Sequence, residues 1–348
     1  MKLGDLVSKD VLGEFGLKRR AEEEMPYVSD LRNGMAVTID LRVQSKRMQE
    51  TKAGDPFLLL TLYDRTGAIR AIDWNDAVTS DRIVEIGKVI RVRGRVTKYE
   101  ERLQINIDKN AGISVIPDDK IQPERFISAT RKNVPDLFER LLSFIAGTGN
   151  DYLKELLTSI FTKDKGFVER FILSPAASRV HHAYKGGLLE HTVAVAELCE
   201  FIGLKYGDSV DKDILITGAL LHDIGKVFEY MIAPSGIDHS RRGELEGHIS
   251  IGVEFVSDYA SRVYNFPKEL LMEIKHLILS HHGEMEWGSP ILPKTTEAIV
   301  LHMADNLDSK IAQFREIETR EHSGTDYEWS NYDRYLNRRI LMKNREDS

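Results

Sequence analysis

Leu221-His222-Asp223-Ile224-Gly225-Lys226 sets two side chains able to bind metal side by side, where the apolar run Ile214 to Leu221 gives way to glycine. Neighbours on a straight helix diverge by about 100°. A helix that stops before Gly225 lets His222 and Asp223 turn toward one centre. His281-His282-Gly283 repeats the device after Leu277, Ile278 and Leu279. Working outward, His191 shares a helical stripe with Val195, Leu198 and Ile202, and His222 with Leu215 and Ala219. His248 precedes Ile251, Gly252, Phe255 and Tyr259, and Asp305 follows Ala298 and Leu301. All four therefore point inward. A lone histidine on an apolar stripe is usually a hydrogen-bonded core residue. Several inward histidines with two inward aspartates reverse that reading, because buried carboxylates are costly unless paired and one shared cation satisfies them together. Lys226, four residues after His222, shares its side if the helix continues, where an ammonium pairs with phosphate. The plainer reading is a surface lysine favoured by a helix end.

The chain has 348 residues, 42% hydrophobic and 30% charged, enough for two ordinary globular domains. No signal-like apolar run opens it and no stretch of about 18 apolar residues occurs, so a cytoplasmic protein without membrane partners is expected. The single cysteine, Cys199, excludes an internal disulfide, and beside Leu198, Phe201 and Ile202 it reads as a buried thiol. The net charge of −7 is uneven: residues 30–116 hold 15 Lys+Arg against 12 Asp+Glu. A modestly basic module followed by an acidic, ligand-rich one suits a protein in which one part holds a polyanion that the other cuts.

Strand-like runs cover 36–43, 57–63, 69–74, 88–96 and 103–107, separated by turn signals such as Asp64-Arg65-Thr66-Gly67, with a short helix expected near 80–85. Five such strands match a small Greek-key barrel of the oligonucleotide-binding (OB) type, a β-sandwich or SH3-like barrel being the alternative. In the fourth strand Arg91, Arg93 and Arg95 alternate with Ile90, Val92, Gly94 and Val96, which puts the arginines on one wet, positive face. A merely solvated sheet surface is the competing reading. Phe57, Tyr63, Trp74 and Tyr99 are candidates for base stacking or for the barrel core. Residues 1–29 form an N-terminal segment, 30–116 the barrel, 117–165 a linker with connecting helices, 166–320 a helical domain and 321–348 a tail expected to pack on the helices. Short helices are expected over 126–147, 152–161 and 166–173.

The pattern His191, His222-Asp223, Asp305 closely resembles that of the HD-domain superfamily of metal-dependent phosphohydrolases, named for the dyad found here as His222-Asp223. His248, His281 and His282 resemble the extra ligands of the branch that holds two metals, in which the dyad aspartate bridges the ions. Arg179-Val-His-His-Ala-Tyr-Lys-Gly-Gly-Leu-Leu-Glu-His191 and Gly247-His248, behind an OB-type barrel, are similar to the bacterial YhaM-type 3′-to-5′ exoribonucleases over nearly the whole chain. The resemblance implies a multi-domain α+β protein, an N-terminal five-stranded OB-type β-barrel followed by an all-α HD domain. It implies a metal-dependent phosphodiesterase releasing nucleoside monophosphates from single-stranded RNA, with single-stranded DNA a further substrate.

One metal would rest on His191, His222, Asp223 and Asp305, the second on Asp223, His248, His281 and His282. Imidazoles with carboxylates suit Mn, Fe, Co, Ni or Zn better than Mg, and the resemblance favours Mn. Asp223 and Lys226 would serve catalysis, with no serine or cysteine nucleophile required. Gly186-Gly187, opening the helix of His191, could offer free amides to a substrate phosphate with Lys185 and His182 nearby; a purely structural turn is the alternative. His302 could orient a ligand from behind. Two rival functions are a small-nucleotide or cyclic-dinucleotide phosphohydrolase, against which the barrel argues, and a nucleic-acid-binding regulator with an inactive HD domain, against which the intact ligand set argues. The oligomeric state is not fixed by the sequence, and a homo-oligomer is compatible with it.

Overall fold

A computed structural model of the protein describes residues 3–8, 11, 13, 15, 25–100, 102–110, 112–177, 183–321, 327–334 and 336–343. The chain divides into two compact units, one of Leu17–Ser128 with Ile232–Gly236, the other of Met1–Gly16, Ala129–Met231 and Ile237–Ser348. The division falls inside the 117–165 stretch. Residue 125 shows why: the buried Arg125 bonds the Asp40 carbonyl at 2.7 Å, faces the Asp64 carboxylate at 3.7 Å and lies over the Tyr27 ring, fastening its segment to the barrel.

The first unit is built on β1 (Ala36–Glu50), β2 (Pro56–Asp64), β3 (Gly67–Asp73), β4 (Val89–Tyr99), β5 (Arg102–Ile107) and β6 (Ile113–Val115), with α1 (Ala77–Ile83) between β3 and β4. The order β1-β2-β3-β5-β4-β6, with a further β1–β4 pairing and β3 parallel to β5, closes a five-stranded barrel with β6 at its margin. Alternation makes it one: Val37, Ile39 and Leu41, then Leu58, Leu60 and Leu62, then Ile90, Val92 and Val96, with Ile105 and Ile107, all turn into a single core. β1 runs seven residues past the predicted end at Val43. After a register irregularity between Val43 and Ser45 its polar second half pairs with β2 alone. Pairing needs only backbone groups, so the loss of apolar alternation after Val43 does not end the strand.

The second unit contains α2 (Val134–Gly147), α3 (Asp151–Thr158) continued by a π-helical turn (Ser159–Lys163), α4 (Lys165–Leu173), α5 (Gly187–Lys205), α6 (Lys212–Leu221), α7 (Lys226–Glu229), α8 (Arg241–Ser261), α9 (Lys268–Ser280) and α10 (Thr296–Glu321). Side-chain caps mark several starts: Asn150 accepts from the Tyr152 and Leu153 amides, Asp211 from those of Asp213 and Ile214, and Ser240 from that of Gly243. α2 begins eight residues later than the predicted Phe126. Asn133 accepts from the Asp136 amide and proline occupies the second helical position. A hairpin, β7 (Tyr230–Ala233) with β8 (Gly236–His239), interrupts the helices where only helix was expected. β9 (Tyr327–Trp329) pairs with β10 (Leu341–Lys343), and Leu336, Ile340 and Met342 bury against Ile317 of α10, so the tail packs on the helices as expected. No helix among the described residues is long and apolar enough to cross a membrane.

Candidate metal centre and nucleic-acid interface

α6 ends at Leu221, and the turn before α7 swings His222 and Asp223 toward α8. Gly225 makes the approach feasible, since a Cβ there would lie 2.0 Å from the His248 carbonyl oxygen and 2.8 Å from the Gly252 nitrogen. α8 itself kinks at Gly247, the residue before His248. His191 arrives from α5, His281 and His282 from the end of α9, and Asp305 from α10. The structure gathers all seven of these side chains in one place. Two trios have donor atoms within 4.8 Å of one another: His191, His222 and Asp305, and His248, His281 and His282. Asp223 stands between them. Its Oδ2 lies 3.4 Å from His191 Nε2 and 3.3 Å from His222 Nε2, while Oδ1 lies 3.6 Å from His248 Nε2 and 3.5 Å from His281 Nε2.

The opposite edges of the rings fix their direction. Carbonyls and carboxylates only accept, so Nδ1–H donates in each case: His191 to Asp308 Oδ2 at 2.7 Å, His222 to the Ala219 carbonyl at 2.8 Å, His281 to Ile278 at 2.7 Å and His282 to Trp287 at 2.9 Å. His248 Nδ1 meets Glu229 Oε1 at 3.2 Å. Held by its Nδ1 edge, each ring points Nε2 toward the centre, the atom through which a metal would be bound. Asp223 Oδ1, His248 Nε2 and His281 Nε2 are buried with no hydrogen-bond partner among the described residues. Leaving such atoms unmatched is costly, and the donor set fits a divalent cation.

Burial opposes ionisation of His191, yet bonds to Asp223, Asp305 and Asp308 outweigh it and hold its pKa well above the usual imidazole range. A metal bound by His191 would have to displace a proton that the surrounding carboxylates favour. Burial likewise opposes the charged forms of Asp223 and Asp305, but Lys226 and His222 for the first, and His191 for the second, keep both carboxyls well below normal. His282 is pushed down to about 3 by burial and by neighbouring His281 and His248. The helix of His222 has ended before Lys226, whose ammonium reaches the centre by pairing with Asp223 Oδ2 at 2.6 Å. Burial opposes its charge as well, but Asp223 raises its pKa.

Asp308 and Glu229 were not anticipated. Asp308 follows Asp305 by three positions on the same helical face, and that spacing was the available signal; Glu229, on a four-residue helix, gave none. His302 bonds the carbonyl of His281 at 2.9 Å and so braces a ligand through its backbone. Cys199 is buried, and burial raises its thiol pKa.

The Gly186-Gly187 turn differs from the anion-site expectation. Its amides are engaged, Gly186 to the Leu173 carbonyl at 3.4 Å and Gly187 to that of Tyr184 at 3.0 Å, with Leu188 bonded to Ser174 at 3.0 Å. Lys185 pairs through its carbonyl with the Thr130 amide at 2.8 Å. His182 lies outside the described residues. A chain reversal consumes its own amides, and residue types alone do not reveal that.

On the barrel, Arg91, Arg93 and Arg95 do alternate outward, but each has a local partner. Arg91 makes two bonds to Asp40, at 2.7 and 2.9 Å; Arg93 meets the Asn110 carbonyl at 3.1 Å and Asp108 at 3.4 Å; Arg95 meets the Gly34 carbonyl at 3.1 Å. A different outward surface carries exposed aromatics. The Phe57 and Trp74 rings meet with centroids 4.7 Å apart and planes tilted by 32°, and the indole N–H of Trp74 donates to Asn106 at 3.1 Å. Arg70 pairs across the sheet with Thr61 and Gln104. Arg70, Tyr99, Glu100, Arg102, Leu103 and Gln104 line a cleft of about 280 Å³ at the β4–β5 hairpin. Tyr63 is occupied differently, accepting from Arg42 at 2.8 Å.

Residues 188–310 match the HD domain family, and residues 37–111 match the OB-fold nucleic acid binding domain family. The chain carries an HD domain behind an OB-fold. An HD domain indicates a metal-dependent phosphohydrolase, and an OB-fold beside it indicates one that acts on nucleic acid. Similar solved structures include a domain of replication protein A from Methanococcus maripaludis, 28% identical over 26% of this chain and 93% of that one, TM-score 0.23. The second OB-fold domain of replication protein A from the same organism is 31% identical over 26% and 91%, TM-score 0.21. An OB domain from Methanosarcina mazei is 21% identical over 28% and 86%, TM-score 0.22.

Proposed function

We propose that this HD-domain protein is a two-metal 3′-to-5′ exonuclease of the YhaM type, removing nucleoside monophosphates from single-stranded RNA and, as a second substrate, from single-stranded DNA. One observation carries the reading: the Asp223 carboxylate offers one oxygen to each histidine-containing trio. His191, His222, Asp305 and Asp223 would hold one ion, and His248, His281, His282 and Asp223 the other. Divalent metal there would supply Lewis-acid activation for in-line hydrolysis of a phosphodiester. Mixed imidazole and carboxylate donors favour Mn, Fe, Co, Ni or Zn, and resemblance favours Mn.

The protein's own groups do the rest. Asp308 and Glu229 orient ligand imidazoles, and Lys226 places a cation where negative charge develops on the phosphoryl group. On the barrel, Phe57, Trp74 and Tyr99 would stack bases while Arg70 and Arg102 meet phosphates. That surface is preferred to the Arg91, Arg93, Arg95 row because those guanidiniums already have partners. The 3′-to-5′ direction rests on the segments around His191 and His248 that resemble YhaM-type enzymes. Purified protein with Mn, offered 5′-labelled single-stranded RNA, duplex RNA, dNTPs and a cyclic dinucleotide in parallel, should shorten the single strand from its 3′ end. Hydrolysis of the small nucleotides alone would sink the proposal.

A further inference from the structure

Trp287 stands out among the exposed aromatic residues of the helical unit because one candidate metal ligand, His282, is bonded to its backbone. It ends a single turn, Met285–Trp287, just after the His281-His282 pair. Its carbonyl accepts the Nδ1–H of His282 at 2.9 Å, and its ring leans on that of His302 with centroids 5.9 Å apart at 36°. His302 is buried and bonded to the carbonyl of His281 at 2.9 Å. Gly283 keeps this stack close: its φ is +79°, and a Cβ there would lie 2.2 Å from the His302 ring. The Trp287 backbone is thus bonded to one candidate ligand and its ring rests on His302, which braces another, yet the residue remains 55% exposed. An indole mounted this way and half open to water presents an amphipathic ring face to a flat ligand.

We propose that Trp287 is the stacking platform for the base of the nucleotide whose phosphate is at the centre, and so a positioning residue for a nucleotide terminus. The inference rests on the hydrolase reading above. A flat ring on a rigid mount suits a nucleobase because every base offers a π-face, whatever its hydrogen-bonding edge. The platform would therefore favour a terminal base without selecting its identity.

The test uses the full, Mn-loaded chain as wild type, Trp287→Ala and Trp287→Phe. Calorimetry would compare AMP with ribose 5-phosphate, two ligands that share a phosphate and differ by the base. Wild type should bind AMP about 5- to 150-fold more tightly, the usual range for one base on an aromatic ring. Trp287→Ala should bring that ratio close to one, and Trp287→Phe should keep most of it, with metal content equal in all three. Oligonucleotides ending in a normal or an abasic 3′ residue should show the same preference, chiefly in KM. Trp287→Ala weakening AMP and ribose 5-phosphate equally would overturn the proposal and leave only a brace for His282, and an unchanged ratio would overturn it outright. A Trp287-dependent AMP preference in a protein that degrades no strand would uphold the platform while removing the exonuclease.

Discussion

Replacing Asp308 by asparagine should weaken one metal position and largely spare the other. Asp308 touches the centre through the far edge of His191, at 2.7 Å, with the two side chains 17% and 3% exposed. Asparagine keeps an acceptor for Nδ1–H but removes the negative charge that makes the imidazole a better donor to a cation. Hydrogen bonds to charged groups are worth about 1.5–3 kcal/mol, against about 1 for neutral ones. The difference, about 0.5–2 kcal/mol by that comparison, predicts roughly 2- to 30-fold weaker binding at the His191, His222, Asp305 position. Asp308→Ala, which leaves the ring unheld, should fall in the roughly 10- to 100-fold range typical of lost ligand supports. Glu229→Gln should act on the other trio through His248. Mn titrations followed by calorimetry and electron paramagnetic resonance would resolve the two positions. Equal losses at both positions in Asp308→Asn, or none in either variant, would refute the argument that these carboxylates act through separate histidines.

Asp223→Asn, which takes the shared carboxylate from both trios, should abolish turnover while single-strand binding by the barrel persists, measurable by gel shift beside a degradation assay; residual activity within tenfold of wild type would contradict its position between them. Arg70→Ala with Arg102→Ala should lower the slope of log affinity against log salt by about 2, one per phosphate contact, whereas replacing Arg91, Arg93 and Arg95 should change it less. The reverse ranking would return the strand to the β4 row. Trp74→Ala should weaken single-strand binding about 5- to 150-fold, the value of one stacked base, as read by fluorescence anisotropy. Asp164 caps α4 through the Phe167 amide at 2.9 Å and accepts from Tyr259; burial works against its charge, but these bonds keep its pKa below normal. A depressed carboxyl contributes stability that is full above about pH 4, its unfolded value, and lost as pH falls through the folded one. Asp164→Ala should therefore cost about 1 kcal/mol at neutral pH and progressively less in acid, by urea denaturation.

How much was legible depended on whether a feature is periodic. The ligands announced themselves because His191, His222, His248 and Asp305 each share a stripe with buried aliphatics, and the barrel because β4 alternates so regularly. What escaped depends on partners remote in sequence. Alternation places Arg91 outward but says nothing of Asp40, 51 positions away. Two glycines at a helix start read as open amides until the Leu173 and Tyr184 carbonyls prove to accept from them. The close pass of Gly225 beneath His248 follows from packing between α7 and α8, for which a single glycine codon gives no direction.

The bond from His191 to Asp308 joins residues 117 positions apart, and the same small volume collects side chains from α5, α8 and α10 and from the ends of α6 and α9. Burying carboxylates and imidazoles from so many segments is costly, and a shared cation would offset that cost. Cation binding there closes long loops of chain at a stroke. If the centre holds metal, it is also a clasp for those helices, and a chelator should lower the melting temperature of the helical unit as well as its activity.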